Sequence, residues 1–322
     1  MKKVILDCDP GHDDAIAIIL AAKHLNILGI TTVGGNQTIE KVTTNALKIL
    51  EVIGMQEIPV YPGSESPLVQ KLVTAPQFHG VSGMDGPDLP EPTIKRKKMH
   101  AANFIAETAN KHGKISLIAT GPLTNIATAL QLDNDLEKKV ETIYIMGGSA
   151  TFGNWTPAAE FNIYVDPEAA FKVFNSGIPI KLCGLNLTRQ AFVTQKDLPI
   201  LQAIKNDVSK FCQALLTFFI EAYYKSTALP GAILHDVCAV AWAIDENLIT
   251  SVDIHVQIEL QGKFTRGMTV CDYRHLQSDH TLKDLEHNPV LPLRGQSPNC
   301  ALGVELDVDN FFTLLYDTIR SY

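Results

Sequence analysis

Four aspartates crowd into eight residues near the start of the chain: Asp7, Asp9, Asp13 and Asp14, within Leu6-Asp7-Cys8-Asp9-Pro10-Gly11-His12-Asp13-Asp14-Ala15. Asp7 and Asp9 stand two apart, so on an extended backbone both project to the same side. Pro10-Gly11 signals a turn, and Asp13-Asp14 open an apolar run of helical character. Like charges about 4 Å apart at an effective dielectric of about 20 repel by about 4 kcal/mol per pair. A helix N-terminus offsets only about 0.3 to 2 kcal/mol for one nearby anion. The cluster therefore needs protons or a divalent cation, and an all-oxygen ligand set favours Ca²⁺ or Mg²⁺ over zinc. A single aspartate here could be an ordinary helix cap; D-x-D-x-x-x-D-D as a set asks for more than capping.

The elements that must position these acids alternate along the chain. Short β-branched runs (4–6, 29–33, 58–61, 115–118, 143–146 and 178–182) are separated by helical patterns near 13–24, 38–54, 99–112, 122–132 and 167–176. That rhythm predicts βαβ units on an open, mostly parallel, Rossmann-like α/β sheet flanked by helices. The strand runs are apolar with little alternation, as in a sheet covered on both faces. In such sheets ligands collect outside the carboxyl ends of the strands, which is where the acids fall. From about 190 the pattern changes to a long helical stretch over 196–224, a helix after His235-Asp236, strand-like 254–260 and 268–272, and a closing helix near 309–320. These later helices are expected to lie over the site. No linker divides the halves, so one domain spanning 1–322 is expected, and the Gly/Pro-rich stretch 75–92 reads as a functional loop.

Composition narrows the partners. Lys plus Arg total 27 against 35 Asp plus Glu, a formal charge of −8, the wrong sign for a general nucleic-acid binder. The six cysteines are widely spaced with no C-x-x-C pair, which reads as reduced thiols. The first apolar stretch is interrupted by Asp7 and Asp9, giving no signal peptide, and the run Ala15–Ala22 is too short to span a bilayer. A cytoplasmic protein acting on a small molecule, with no nucleic acid and no membrane partner, is the expectation.

The acidic stretch Asp7-x-Asp9-Pro10-Gly11-x-Asp13-Asp14-Ala15 resembles the signature of the inosine-uridine-preferring nucleoside hydrolases. The resemblance continues in order through Thr31-Thr32-Val33-Gly34-Gly35-Asn36-Gln37, His79-Gly80-x-Ser82-Gly83, Thr120-Gly121-Pro122-Leu123-Thr124-Asn125-Ile126-Ala127, Met146-Gly147-Gly148, Asn154, Ala159-Glu160-Phe161-Asn162, Asp166-Pro167-Glu168-Ala169-Ala170 and His235-Asp236. It implies a metal-dependent ribonucleoside N-ribohydrolase, a glycosidase acting on N-glycosyl compounds, that splits uridine, cytidine or inosine into ribose and free base. By the same resemblance Asp9, Asp14, Asp236 and the carbonyl of Thr120 are the Ca²⁺ ligands, with Asp7 nearby. Asp9 also matches the base that takes a proton from water. Asp13, Asn36, Asn154, Glu160 and Asn162 match ribose-gripping positions with Met146 in the same wall, and His79 and His235 match residues near the base. Homo-oligomers, dimers or tetramers, are implied as well. The His79–Pro87 loop is most similar to that of bacterial members favouring pyrimidine ribonucleosides.

The chemistry suits such a site. A glycosidic C–N bond breaks through an oxocarbenium-like sugar, which needs an activated water on one face and charge relief at the leaving nitrogen. Plainer roles stand beside these. Asn36 could serve the turn after two glycines, and Asn154 likewise. Glu160 and Asn162 would share one side of an extended segment. His235 could be a satisfied histidine at a helix head, His79 a solvated loop residue, and His12 has no task. Phe218, Phe219, Tyr223 and Tyr224 are either core or a lid that stacks on the base. Two rival functions remain in view: a phosphatase of the haloacid dehalogenase type, whose D-x-D motif would want Thr or Val where Gly11 stands, and a non-catalytic nucleoside- or ribose-binding protein.

Overall fold

Val4 to Cys8 are buried without interruption, and they form an interior strand of the sheet, third from one edge. The computed structural model describes residues 1–274 and 296–322. In chain order the elements are β1 (Lys3–Cys8), α1 (His12–His24), β2 (Asn26–Thr32), α2 (Ile39–Val52), β3 (Val60–Pro62), α3 (Pro76–His79), α4 (Ala101–His112), β4 (Ile115–Ala119), α5 (Thr124–Leu132), β5 (Val140–Met146), α6 (Phe161–Val165) and α7 (Pro167–Phe174). There follow β6 (Ile180–Cys183), α8 (Leu185–Thr188), β7 (Phe192–Thr194), α9 (Leu198–Ile204), α10 (Asp207–Thr227), β8 (Gly231–Ile233), α11 (His235–Ile244), β9 (Ile249–Ile258), β10 (Thr269–Asp272), β11 (Cys300–Leu306) and α12 (Val308–Arg320).

Among the described residues nine strands form one sheet in the order β10-β9-β11-β6-β5-β4-β1-β2-β3. Pairs from β11–β6 through β2–β3 are parallel, and β9 joins both β11 and β10 antiparallel at one edge. The mostly parallel α/β sheet expected from the alternation is thus present. Side-chain alternation along β1 sends Val4, Leu6 and Cys8 into one apolar core and Ile5 into the other, so each face is covered. Helix α1 is buried nearly all round, between the sheet and α11, which is why its sequence is apolar on every side.

Chain order reverses at the β1–β4 neighbours, with β2 and β3 to one side and β5 and β6 to the other. A crevice opens outside the carboxyl ends at such a reversal. Asp7 pairs in register with Thr31 on one side and Ala119 on the other, so the first aspartate and the 119–121 corner meet there.

Two expectations are corrected, and one strand has no counterpart among them. The stretch 196–224 is two helices, because Lys205 adopts a left-handed conformation (φ 66°) and the Asn206 side chain accepts from Ser209 N to start α10 afresh. Residues 160–162 are not extended: Glu160 caps α6. Strand β11 carried too short an apolar signal, broken by Gly303, to be read from sequence. Among the described residues no helix is long and apolar enough to cross a membrane, and all six cysteines are unpaired.

Candidate active site

The turn Pro10-Gly11 brings Asp9 and Asp14 back to back, and both are fully buried. Gly11 N–H donates to Asp14 Oδ2 at 3.0 Å, and the Thr120 hydroxyl donates to Asp14 Oδ1 at 2.8 Å. Asn36, at the end of the Gly34-Gly35 corner, donates its N–H to Asp9 Oδ2 at 2.6 Å. The Asn36 amide reaches Asp9 O at 3.1 Å and Asp14 Oδ2 at 3.2 Å. Asp9 Oδ1 has no partner. Glycines make room for this carboxylate: a Cβ on Gly35 would collide with Asp9 Oδ2, and one on Gly121 would come within 2.7 Å of Oδ1.

Asp13 and Asp14 sit in the first turn of α1, and Asp236 in the first turn of α11. Carboxylate oxygens of these three lie within 4.8 Å of one another. Asp9 and Thr120, the other residues expected to hold the ion, adjoin this group, Thr120 through its bond to Asp14 and Asp9 through Asn36, which touches both Asp9 and Asp14. Asp7 stands apart. Its Oδ1 accepts from Thr31 Oγ1 at 2.6 Å and Asn125 Nδ2 at 2.8 Å, while Oδ2 is buried without a partner.

Burial disfavours every one of these charges. It pushes the Asp7 carboxyl up to about 7, and burial with the neighbouring Asp14 does the same for Asp13. Asp9, Asp14 and Asp236 are also raised, by burial first. The acids are therefore held in a state that a cation or protons must relieve.

Above them lies a cavity of about 270 Å³ whose wall includes Asp13, Asn36, His79, Thr120, Met146, Asn154, Glu160, Asn162, His235 and Asp236. All the residues expected to touch substrate are thus brought to one space, and Asp9 and Asp14 lie beneath its floor. Much of the polar capacity is already used. Glu160 accepts from the N–H groups of Gly148, Asn162 and Ile163, which leaves roughly one of its four lone-pair sites for a hydroxyl. Burial raises its carboxyl to about 7. Asn154 Oδ1 accepts from Phe161 N at 3.0 Å, leaving its amide donors. Asn162 Nδ2 donates to Thr120 O at 2.8 Å and Met146 O at 3.1 Å, leaving its carbonyl.

His235 spends both ring nitrogens, Nδ1 on Thr188 Oγ1 at 2.7 Å and Nε2 on Tyr223 Oη at 2.9 Å. Burial drops it to about 3, so the ring is neutral at pH 7. His79 is not a solvated loop residue: it ends α3, is 7% exposed, and its Nδ1 accepts from His12 N at 3.3 Å. Nor is His12 idle. Its ring stacks on Phe218 and Phe219, and Nε2 donates to Asp85 O at 2.8 Å. The aromatic set divides, with Phe219 and Tyr223 on the cavity wall, Phe218 behind them on His12, and Tyr224 62% exposed.

Sequence reading missed Thr188, Arg189 and Trp155. Thr188 and Arg189 follow β6 by one helical turn, so the strand-end rule that found Asp9 would have pointed to them; Trp155 is signalled only by standing next to Asn154.

The chain is 43% identical to the pyrimidine-specific ribonucleoside hydrolase RihA of Escherichia coli, over 99% of this chain and 98% of that one. Among solved structures it matches a purine-preferring ribonucleoside hydrolase from Gardnerella vaginalis (TM-score 0.88, 31% identity, 99% of this chain and 98% of that one). It also matches a plant nucleoside hydrolase (TM-score 0.88, 32% identity, 100% and 99%). A chain similar to these proteins along its whole length, with an acid-floored cavity at the reversal point of its parallel sheet, is a ribonucleoside hydrolase, an enzyme that cleaves the N-glycosidic bond. The chain belongs to the inosine-uridine preferring nucleoside hydrolase family, whose model matches residues 4–313. Neither the phosphatase nor the binding-protein alternative finds support.

Proposed function

We propose that residues 1–322 work as one domain that hydrolyses pyrimidine ribonucleosides with the help of a bound Ca²⁺. One observation carries the metal: a fully buried, glycine-cradled Asp9 carboxylate keeps an oxygen without a partner, next to acids whose oxygens gather within 4.8 Å. Orphaned buried carboxylate oxygens cost several kcal/mol unless something cationic meets them, and a hard dication fits an all-oxygen donor set. Asp9, Asp14, Asp236 and the Thr120 carbonyl would hold it, with Asp13 close enough to share the load. When bound, such an ion supplies a more acidic water and a chelating partner for a vicinal diol.

The chain's own residues do the rest. Asp9 accepts the proton of the attacking water; being buried under the cavity floor, it meets water and not substrate. Asp13, Asn36, Asn154, Glu160 and Asn162 take the ribose hydroxyls through the donors and acceptors left free, with Met146 as an apolar wall. Because those groups are buried, a sugar lacking a hydroxyl strands them, so deoxynucleosides are poor substrates. His79 and His235 stand at the base, and His235 acts through Tyr223, since a ring neutral at pH 7 cannot serve as a standing imidazolium. The pyrimidine preference is supported by the RihA likeness and the His79–Pro87 loop. Ca²⁺ as the ion, homo-oligomeric assembly and a cytoplasmic location belong to the same reading and rest on the family resemblance.

Release of reducing sugar from uridine and inosine, with and without chelator, tests this. Activity on uridine that chelator abolishes and Ca²⁺ restores is expected. Asp9→Asn should lose at least about 10³-fold in kcat while keeping the far-UV spectrum; a rate near wild type removes Asp9 as the base.

A further inference from the structure

Among the residues lining the cavity, Arg189 is the one lysine or arginine, and nothing in the scheme above uses it. It follows α8 and lies close enough to His235 and Tyr223 to act on both electrostatically. Its guanidinium carbon sits 3.9 Å from the centre of the Phe152 ring, a cation–π contact with a ring that is itself 60% exposed. Among the described residues its guanidinium donates no hydrogen bond and forms no ion pair, so its five N–H donors are free. A half-buried cation seated on an aromatic ring, with its donors uncommitted to other protein groups, is available to an acceptor that enters the cavity.

The two histidines at this end are engaged, one wholly and one in part. His235 uses both nitrogens, and His79 Nδ1 takes the His12 N–H. We propose that Arg189 donates to a ring carbonyl oxygen of the departing base and stabilises that base as an anion. This rests on the reading that the base lies at the His79–His235 end. In the step, the C1′–N bond breaks with its electron pair staying on the base, and a lone pair of the water oxygen forms the bond to C1′. The water's proton goes to Asp9. The negative charge building on the base spreads onto its ring carbonyl oxygens, where the guanidinium meets it, and the base is then protonated by the Tyr223 hydroxyl, which recovers a proton from solvent by way of His235. The ligand class is a nucleobase with a carbonyl acceptor, such as uracil.

The test compares wild type with Arg189→Gln and Arg189→Lys on uridine, 5-fluorouridine and p-nitrophenyl riboside. The second base leaves more readily as an anion, and the third leaving group has no ring carbonyl. Arg189→Gln should lose about 10²-fold in kcat/KM on uridine, less on 5-fluorouridine and no more than a few-fold on p-nitrophenyl riboside, with inhibition by free ribose unchanged. Arg189→Lys, which keeps charge but not the planar fork, should fall between. Equal losses on all three substrates, or uridine turnover within about two-fold of wild type, overturn the proposal. If wild type cleaves inosine and not uridine, the pyrimidine reading fails separately, and the same comparison on inosine, whose base also carries a ring carbonyl, decides for Arg189.

Discussion

Asp236→Asn distinguishes a carboxylate cluster kept for a cation from one that merely fills polar space. Oxygens of Asp13, Asp14 and Asp236 lie within 4.8 Å of one another. At that spacing and an effective dielectric of about 20, each fully ionised pair repels by about 3 kcal/mol. The amide has the shape of the carboxylate, deletes two of the three repulsive pairs, and offers two N–H donors to Asp13 and Asp14. Part of the repulsion is already relieved at pH 7 by protons that burial holds on the acids. A net gain of about 1 to 3 kcal/mol is left for the metal-free variant, or about 2 to 5 °C in Tm for a chain of this length. In excess Ca²⁺ the order should invert. Wild type gains about 2.7 kcal/mol at a hundred times Kd, and the variant, short of one ligand, gains little. Calorimetric melts in EDTA and in Ca²⁺ read both arms. The reasoning is falsified if Asp236→Asn melts below wild type in EDTA yet responds to Ca²⁺ as wild type does, because the acid would then be a structural hydrogen-bond partner.

The remaining predictions are shorter. His235→Ala should leave inhibition by ribose intact and cut kcat on uridine by about 10² to 10⁴-fold while sparing p-nitrophenyl riboside, whose leaving group needs no help; a matching loss on that substrate would mean the histidine only props the wall. Stability of the EDTA-treated protein should fall as pH rises from 6.5 to 8. Asp7, Asp13 and Glu160 are each raised to about 7, so in this window the folded state holds protons the unfolded state has lost, and each group costs up to about 1.4 kcal/mol per pH unit. Below about 6.5 the depressed histidines His12, His79 and His235 titrate in the opposite sense and offset the trend. A Tm that rises across 6.5 to 8 would contradict this.

The fold was legible where one local signal sufficed. Runs such as 115–118 and 143–146 became β4 and β5 because parallel strands buried on both faces must be apolar throughout. The acids at the end of β1 were legible because so much charge in so short a stretch has few innocent explanations. What was hidden depends on meetings across the fold. Nothing in the spacing of His12 and His79 shows that one ring takes the other's backbone N–H, or that α10 closes over both with Phe218 and Phe219. The break at Lys205 was hidden too, since a lysine in a left-handed conformation has no sequence signature and only the following Asn206 hints at a restart. Arg189 and Thr188 escaped because a single helical turn after β6 carries no periodicity.

The glycines explain how so acidic a site can exist in a folded chain. A carboxylate on the surface would be hydrated and need no cation, so it could neither bind one tightly nor keep a basic oxygen dry. Gly35 and Gly121 let the backbone close around Asp9 until a side chain at either position would strike its carboxylate. Asn36 then satisfies Oδ2 through a backbone N–H, which leaves Oδ1 bare. The resulting desolvation raises the free energy of the ion-free state, and each kcal/mol so stored is returned when a cation arrives, tightening its binding by about five-fold. Instability of the empty cluster and affinity for the dication are in this sense one quantity, so a substitution that calms the acids should weaken the metal in proportion.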